Sequence, residues 1–381
     1  MPKRLRWCSR ALLKRWKADP IVTSKPFSIG VKPTTVDVAR VAGVSLATVD
    51  RVLNERPGVR AITIEKVRDA IDKLGFTRDT AAANLARQRV YKLVFILPET
   101  TNEFVTALEN EIYELRTKAI HERTTVECLH VPPFEPSAIV AAFDALDADR
   151  VDGVAVFGPE TPAVRDAVRR ARARGISVVA LVADLPSSKR DYFVGIDNVA
   201  AGRTAAQLMG RFTRGAGRIL VITGSRLARD HLERRKGFDS VMAAEFPQLD
   251  VVASIEGRDD PALIRKLLPK TFKTYPDICG VYSSAAGNQG LIQFLKNSGR
   301  AQDLVIVAHE LTESSRTALE DGAFDAIISQ DSGHLIRSAT RVLKATADRL
   351  PIDHTQERIR LDIYIRENLP APAPFIQEET Q

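Results

Sequence analysis

From residue 34 to residue 75 the apolar positions recur at spacings of three and four, the period of short helices packed on one another. "TTVDVARVAGVS" opens the series. Thr34 or Thr35 can cap a helix with Asp37 in its first turn, Val38, Val41 and Ala42 give it an apolar face, and Gly43 supplies the left-handed residue that ends it. Ser45 then caps a second helix, Leu46 to Leu53, with Val49, Val52 and Leu53 as its inward stripe. A third follows, with Ile64, Val67, Ile71 and Leu74 buried and Gly75 closing it. Three short helices with a tight turn between the first two make a helix-turn-helix.

Past Lys92 the period changes. "KLVFILPE" is a buried strand and "EFVTALENEIYELRTKAIHER" an amphipathic helix; "TVECLHV", "VDGVAVFG" and "ISVVALVAD" are further strands with helical stretches between them. After Arg190 the alternation repeats through "YFVGIDN", "RILVITG", "LDVVASIEG", "ICGVYSS", "LVIVAHE" and "DAIISQD". Such alternation predicts parallel sheets covered by helices. The ten strands exceed one comfortable sheet, so two doubly wound subdomains with a cleft between them are expected.

The chain's 381 residues are too many for one ordinary core, and its apolar and charged fractions, 44% and 27%, are those of a globular protein. No apolar run approaches the roughly 20 residues a membrane span needs. The start, "MPKRLRWCSRALLKRWKADP", is basic and carries no secretory signal pattern, so a cytoplasmic location is expected. Cys8, Cys128 and Cys279 lie far apart and are expected as reduced thiols. Charge alters the picture most. Residues 1–89 hold 19 Lys+Arg against 8 Asp+Glu, a net of +11, while the remainder holds 36 against 40, a net of −4. A basic head on a mildly acidic body points to a polyanionic partner for the head.

That partner explains the shortness of the second helix, whose outer face suits a major groove. Ser45, Thr48 and Asn54 are of the size and type that hydrogen-bond phosphates. Arg51 can form two bonds to the O6 and N7 of a guanine, worth roughly 1–3 kcal/mol of discrimination, and Leu46 and Ala47 can meet thymine methyl groups.

"TTVDVARVAGVSLATVDRVLNERPGVRAITIEKVRDAIDKLGFTRDTAAANLA", residues 34–86, resembles the headpiece of the LacI family of bacterial transcription regulators. The resemblance puts Leu46, Ala47 and Arg51 on the family's base-reading positions and Thr34, Ser45, Thr48, Asn54 and Thr63 on its phosphate-contacting ones. Two departures stand out. Asp50 occupies a position where the family has serine, where it can accept from a cytosine amino group or hold Arg51, and Arg78 replaces a proline before the hinge. "RDTAAANLARQR" is too short to be a stable helix in water. The resemblance implies that it folds on DNA beside its dimer mate, with Leu85 wedged into the minor groove.

In the body, ligands of doubly wound sheets sit at the carboxyl ends of strands. The polar residues there are Glu99 to Phe104, Asp197, Arg234, Ser283, Ser284, Glu310, and Gln330 with Asp331; Phe104 can pack on a sugar face. "VGIDNVAAGRTAA" and "ERRKGF" resemble segments of the type I periplasmic-binding-protein core that the family uses, which puts Arg234 on its ligand-binding arginine. "VAHELT" puts Glu310 where the family has an aspartate, and "GVYSSAAGNQG" replaces its Asn-Asp pair with serines. Structural roles stay open: Asp197 and Glu310 can cap the helices that follow them, and Arg234 can be a surface charge.

The expected architecture is a small all-α helix-turn-helix headpiece plus an α/β two-subdomain type I periplasmic-binding-protein body. Residues 1–32 are expected as a disordered basic extension, 33–77 as the DNA-binding domain, 78–90 as hinge helix or linker, 91–370 as the effector domain and 371–381 as a flexible tail. The chain is expected to cross between subdomains near 188–192 and 330–355. No dinucleotide loop, Walker lysine, G-x-S-x-G elbow or H-x-x-x-H spacing occurs, so neither catalysis nor a metal or other cofactor is expected. The resemblance implies a homodimer built through the body, with helix 103–123 in its face; the proline-rich end lacks leucine heptads for a tetramer. The expected partners are double-stranded operator DNA and a sugar or polyol effector, with no membrane. The expected role is repression of carbohydrate uptake or catabolism genes. A solute-binding protein without DNA function is the competing reading, and the basic headpiece argues against it.

Overall fold

The computed structural model describes residues 33–54, 56–76, 89–119 and 123–371. The expected basic extension, the hinge helix with Leu85, and the tail beyond residue 371 lie outside the described residues. Contacts divide the chain into two units, Met1–Ala83 and Asn84–Gln381.

In the first unit α1 spans Thr35–Ala42, α2 Leu46–Leu53 and α3 Ala61–Leu74. Thr34 caps α1 in a reciprocal box: its N–H donates to Asp37 Oδ2 at 2.9 Å and its hydroxyl accepts from the Asp37 N–H at 3.3 Å. These bonds, with Arg40 beside them, hold the Asp37 carboxyl down at about 2. Gly43 takes the left-handed φ of 66° that turns the chain into α2. Val38, Ala39, Val49, Val67, Ala70 and Phe76 form the core. Three expectations shift. Val41 is 47% exposed, and its inward place goes to Ala39. Ile64, Ile71 and Leu74 are only half-buried, because a bundle this thin covers few positions of α3 fully. Phe76 joins the core because its N–H bonds back to Ile71 at 3.0 Å in the turn after Gly75, which folds the ring onto the bundle.

The second unit has two sheets. The first lobe holds β1 (Tyr91–Pro98), α4 (Glu103–Ala119), β2 (Thr124–Val131), α5 (Pro136–Ala145), β3 (Gly153–Val156), α6 (Pro162–Ala173), β4 (Ser177–Leu181) and β5 (Tyr192–Val194). Its strands run parallel in the order β2-β1-β3-β4-β5. Leu93, Phe95 and Leu97 pack on one face and Val94 and Ile96 on the other, which is why the β1 run is continuously apolar.

The second lobe follows with α7 (Asn198–Phe212), β6 (Gly217–Thr223), α8 (Arg229–Glu245), β7 (Leu249–Val251), β8 (Ile255–Glu256), α9 (Pro261–Thr274), β9 (Ile278–Ser283), α10 (Asn288–Ser298), β10 (Val305–His309), α11 (Glu313–Glu320) and β11 (Ala326–Ser329). Helix α12 (Ser332–Ala347) returns to pack on β3, β4 and α4 of the first lobe, and β12 (Asp362–Tyr364) closes the second sheet antiparallel to β11. The second sheet runs β12-β11-β10-β9-β6-β7, with β8 also paired to β6. The first crossing therefore falls after Val194 and not at 188–192, since Tyr192–Val194 still pairs with β4. The stretch 330–355 carries the chain into the first lobe, and a further passage before β12 takes it back. Strand β12 has no counterpart in the sequence reading; two half-buried residues flanking the exposed Ile363 leave little apolar signal.

Candidate functional site

The outer face of α2 is one place where polar and apolar side chains remain turned to solvent. Ser45 accepts from the Thr48 N–H at 3.2 Å and its hydroxyl lies 2.9 Å from that of Thr48, so the helix N-terminus is fixed by residues that stay near the surface. Leu46 is 49% exposed, and Ala47 and Arg51 are exposed as well. Val49, fully buried, holds the opposite side of the helix. Asp50 does not hold Arg51: it accepts from Asn54 Nδ2 at 2.8 Å and lies 3.4 Å from Arg56 Nη1. Asn54 Nδ2 is thereby turned to Asp50, whose backbone carbonyl it also reaches at 2.7 Å, and away from any outside acceptor. Thr63 is half-buried in the first turn of α3.

The second candidate lies in the body and begins with two glycines. A Cβ on Gly202 of α7 would stand 1.9 Å from the Arg234 carbonyl, and one on Gly237 of α8 would stand 2.1 Å from the Val199 carbonyl. The backbones of α7 and α8 touch only because both positions lack a side chain. That contact sets Arg234 beside Asn198. Arg234 is 2% exposed and uses three of its five N–H donors inside the protein: Nε donates to Asn198 Oδ1 at 2.8 Å, Nη1 to the Ser284 carbonyl at 3.0 Å, and Nη2 to Glu310 Oε1 at 3.3 Å. Gln330 Nε2 donates to the same carboxylate oxygen at 3.0 Å, and the Gln330 N–H reaches Glu310 Oε2 at 3.4 Å. Burial pushes the Glu310 carboxyl up while Arg234 and Gln330 hold it down.

Arg234, Ser284, Glu310 and Gln330 thus meet in one buried network, each from a different strand end or helix. Ser283 is adjacent, donating to Asn288 Oδ1 at 2.7 Å. Arg234 is no surface charge. Glu310 caps nothing, since Thr312 caps α11. Asp197 is exposed and accepts from the Ala200 N–H at 2.9 Å as the cap of α7, away from this network. Phe104 is buried and borders a cavity with Glu310, Asn288 and His309.

Between the lobes lies an open cavity of about 590 Å³, solvent-open space included. Phe134, Phe157 and several prolines line it from the first lobe, and Asp230, His231, Arg258 and Asp259 from the second. It adjoins the Phe104 cavity through Asn102 and Asp259. Polar contacts span the lobes nearby: Gln289 Nε2 donates to Glu103 Oε1 at 3.0 Å, and Arg229 faces Glu160 at 3.6 Å. Asp230 Oδ1, Asn198 Nδ2 and Gln330 Oε1 are buried without a hydrogen-bond partner among the described residues. Burial also pushes up the Asp259 carboxyl. The sequence reading did not single out Asn198, Asp230, His231, Asp259 or Asn288. "DNVAAG" and "RDHLERRKG" contain three of them within a turn or two of residues it did single out, but Asp259 belongs to a loop with no such neighbour.

The family model for bacterial regulatory proteins of the lacI family matches residues 34–79, and that for the periplasmic binding protein domain matches residues 93–349. The chain belongs to the LacI family. It is 26% identical over 230 residues to the HTH-type transcriptional regulator DegA of Bacillus subtilis, covering 60% of this chain and 66% of DegA, just short of two thirds of that relative's length. To the HTH-type transcriptional regulator AglR of Rhizobium meliloti it is 27% identical over 286 residues, covering 72% and 76%. Among solved structures, an ABC-transporter solute-binding protein of Burkholderia graminis in complex with D-arabinose superposes with a TM-score of 0.68 at 22% identity, over 74% of this chain and 97% of that one. That likeness establishes the fold of the body as the two-lobed periplasmic-binding-protein type. Among the described residues no helix is long and apolar enough to cross a membrane, and no cluster of His, Cys, Asp and Glu could hold a metal ion.

Proposed function

We propose that this chain is a ligand-responsive, sequence-specific DNA-binding transcriptional regulator, a repressor of carbohydrate uptake or catabolism genes acting as a cytoplasmic homodimer. One observation carries the reading: α2 is anchored by Val49 and capped by Ser45 while Leu46, Ala47 and Arg51 stay exposed, as a helix in a major groove requires. Arg51 reads a base, Leu46 and Ala47 supply apolar contact, and Thr34, Ser45, Thr48 and Thr63 approach phosphates. Leu85 of the hinge intercalates in the minor groove. The dimer uses the face of α4, where Tyr113 is 69% exposed. A sugar or polyol in the cleft is the effector; the Burkholderia graminis protein, which shares the fold of the body, is in complex with D-arabinose. Effector binding changes the set of the lobes and thereby the hinge, so its affinity differs between free and DNA-bound protein.

The test starts with selection of duplexes from a random library by the full-length chain. Enriched sequences should be retained in gel shifts with an affinity that falls steeply with salt. Arg51→Ala should relax the sequence preference. Enrichment of no sequence, or unchanged preference in Arg51→Ala, rejects the reading. Equal effector isotherms with and without the selected DNA reject the coupling.

A further inference from the structure

Arg89 lies where the expected hinge, residues 78–90, runs into β1, and it is tied to the body there. Its Nη1 lies 2.9 Å from Asp348 Oδ1, and its Nη2 donates to Asp152 Oδ1 at 3.4 Å. The guanidinium also sits 5.0 Å from the centre of the Tyr91 ring, and Lys344 Nζ lies 5.6 Å from the same ring. The Tyr91 hydroxyl donates to Asp348 Oδ2. Burial and that carboxylate push the hydroxyl up to about 12, so it stays a donor. Asp152 Oδ2 accepts in turn from the Lys92 N–H at 2.8 Å.

The two carboxylates come from separate elements. Asp348 ends α12, with its N–H on the Lys344 and Thr346 carbonyls, and its side chain is 8% exposed. Asp152 immediately precedes β3. Gly153 brings them together: a Cβ there would stand 2.8 Å from Leu343 Cδ2, so α12 lies directly on the start of β3. At its other end α12 is capped by Asp331, which accepts from the His334 N–H at 2.8 Å. Gln330, one residue earlier, holds Glu310 in the buried network around Arg234. The 16 residues of α12 make a rod of about 24 Å, and Leu335, Ile336, Ala339, Val342 and Leu343 fix it in the core. One rigid helix therefore has the buried network at its start and the root of the hinge at its end.

A planar guanidinium can bridge two carboxylates at once, which a flexible point charge does poorly. A linker held in this way starts from a fixed place, and that lowers the ordering cost of presenting two headpieces together. We propose that Arg89, seated by Asp348, Asp152 and Tyr91, is a positioning residue that fixes the hinge to α12 and thereby sets the separation at which the dimer reads two half-sites. Arg89 acts through the hinge and touches no base. This role rests on the reading of the chain as a dimeric DNA-binding regulator. The second lobe supplies a control of like chemistry. Arg218, at the start of β6, lies 2.8 Å from Asp277, 3.4 Å from Asp250 and 5.4 Å from the Tyr275 ring centre. Both of those carboxylates are mainly exposed, and the chain before Arg218 is α7 and not the hinge.

The test uses the full-length chain and duplexes carrying two copies of its selected half-site, with base pairs added to or removed from the spacer one at a time. Each base pair displaces one half-site by about 3.4 Å and about a tenth of a turn. The parent chain should bind one spacing about tenfold or more tightly than spacings two base pairs away. Arg89→Met, which keeps the stem and removes the fork, should cut that ratio to about threefold or less while base preference within the half-site is unchanged. Arg89→Lys should restore part of the ratio. Asp348→Asn should lower it as well, and it decides the matter if Arg89→Met does not fold. Arg218→Met should keep the parent ratio. A flat spacing profile in the parent overturns the role, and so does a ratio that Arg218→Met lowers equally. A sharp optimum that neither Arg89→Met nor Asp348→Asn moves overturns the role alone and leaves the regulator standing. If the parent enriches no duplex, the regulator falls and this role with it.

Discussion

Arg51 of the headpiece and Arg234 of the body illustrate opposite uses of one side chain. Arg51 stands exposed on a helix anchored from behind, so its guanidinium is available to something outside the protein. Arg234 is buried and engaged by Asn198, Ser284 and Glu310, so its work is internal. In the proposed function the first is a reader, and its loss should cost binding. The second is a keystone that shapes the second-lobe wall, and its loss should cost stability. A guanidinium has donors in a fixed fork, and whether they are spent inside or kept for a partner depends on what the fold places around them.

The largest effect that would break this contrast is expected from Arg234→Ala. Removing one member of a buried ion pair leaves Glu310 uncompensated and should cost about 3–5 kcal/mol in denaturant unfolding of the body. An effect below about 1 kcal/mol, the range of exposed pairs, would mean that the network contributes nothing. Gly202→Ala should come next, at about 3 kcal/mol, because its Cβ would drive α7 away from the Arg234 carbonyl. Gly299→Ala is the control: Gly299 has a left-handed φ but no neighbour within 4 Å of a Cβ, so it should cost only about 1 kcal/mol. Equal melting shifts for the two would remove the close helix contact as the reason for Gly202.

Arg51→Ala sharpens the other side. It should weaken binding to a selected duplex by roughly 1–3 kcal/mol while changing headpiece stability by less than about 0.5 kcal/mol. A comparable loss in both would make Arg51 a structural residue. The smallest effect is a pH dependence confined to α1. With its carboxyl held at about 2 against an ordinary 3.8, Asp37 favours the capped helix above the ordinary value, and that contribution disappears as pH falls toward 2. Protection of the Asp37 amide, its exchange rate relative to the unfolded-chain rate at the same pH, should fall over that interval, and Asp37→Asn should lose the pH dependence. Protection that is flat with pH in the parent chain would place the stability of α1 elsewhere.

The contrast also explains what could be read without coordinates. The headpiece is built from contacts a few residues apart, so caps, glycine ends and the apolar stripe appear in the sequence almost position by position. Its misjudged residues, Val41 and Phe76, depend on how closely three thin helices meet. In the body the ten strands declare themselves as apolar runs, and strand-end logic reaches Arg234, Ser284, Glu310 and Gln330. Asp197 satisfies the same logic yet turns to cap α7, because a carboxylate at a strand end serves a helix N-terminus as readily as a ligand. Asp230 and Asp259 went unnoticed because nothing local marks them; only the packing of loops from distant strands brings them to the same cavity.

The sequence by itself determined the order of elements up to β11 and the split between basic head and acidic body, because periodicity, capping and charge are properties of neighbouring residues, and the motif over residues 34–86 pointed to the family. The tertiary structure alone decided which polar groups are spent and which remain open. Whether Arg234 meets a carboxylate, or Asp230 Oδ1 finds no partner among the described residues, depends on distances between segments far apart in the chain. Hydrogen bonds and ion pairs fall away within a few ångströms, so only the packed fold can decide them.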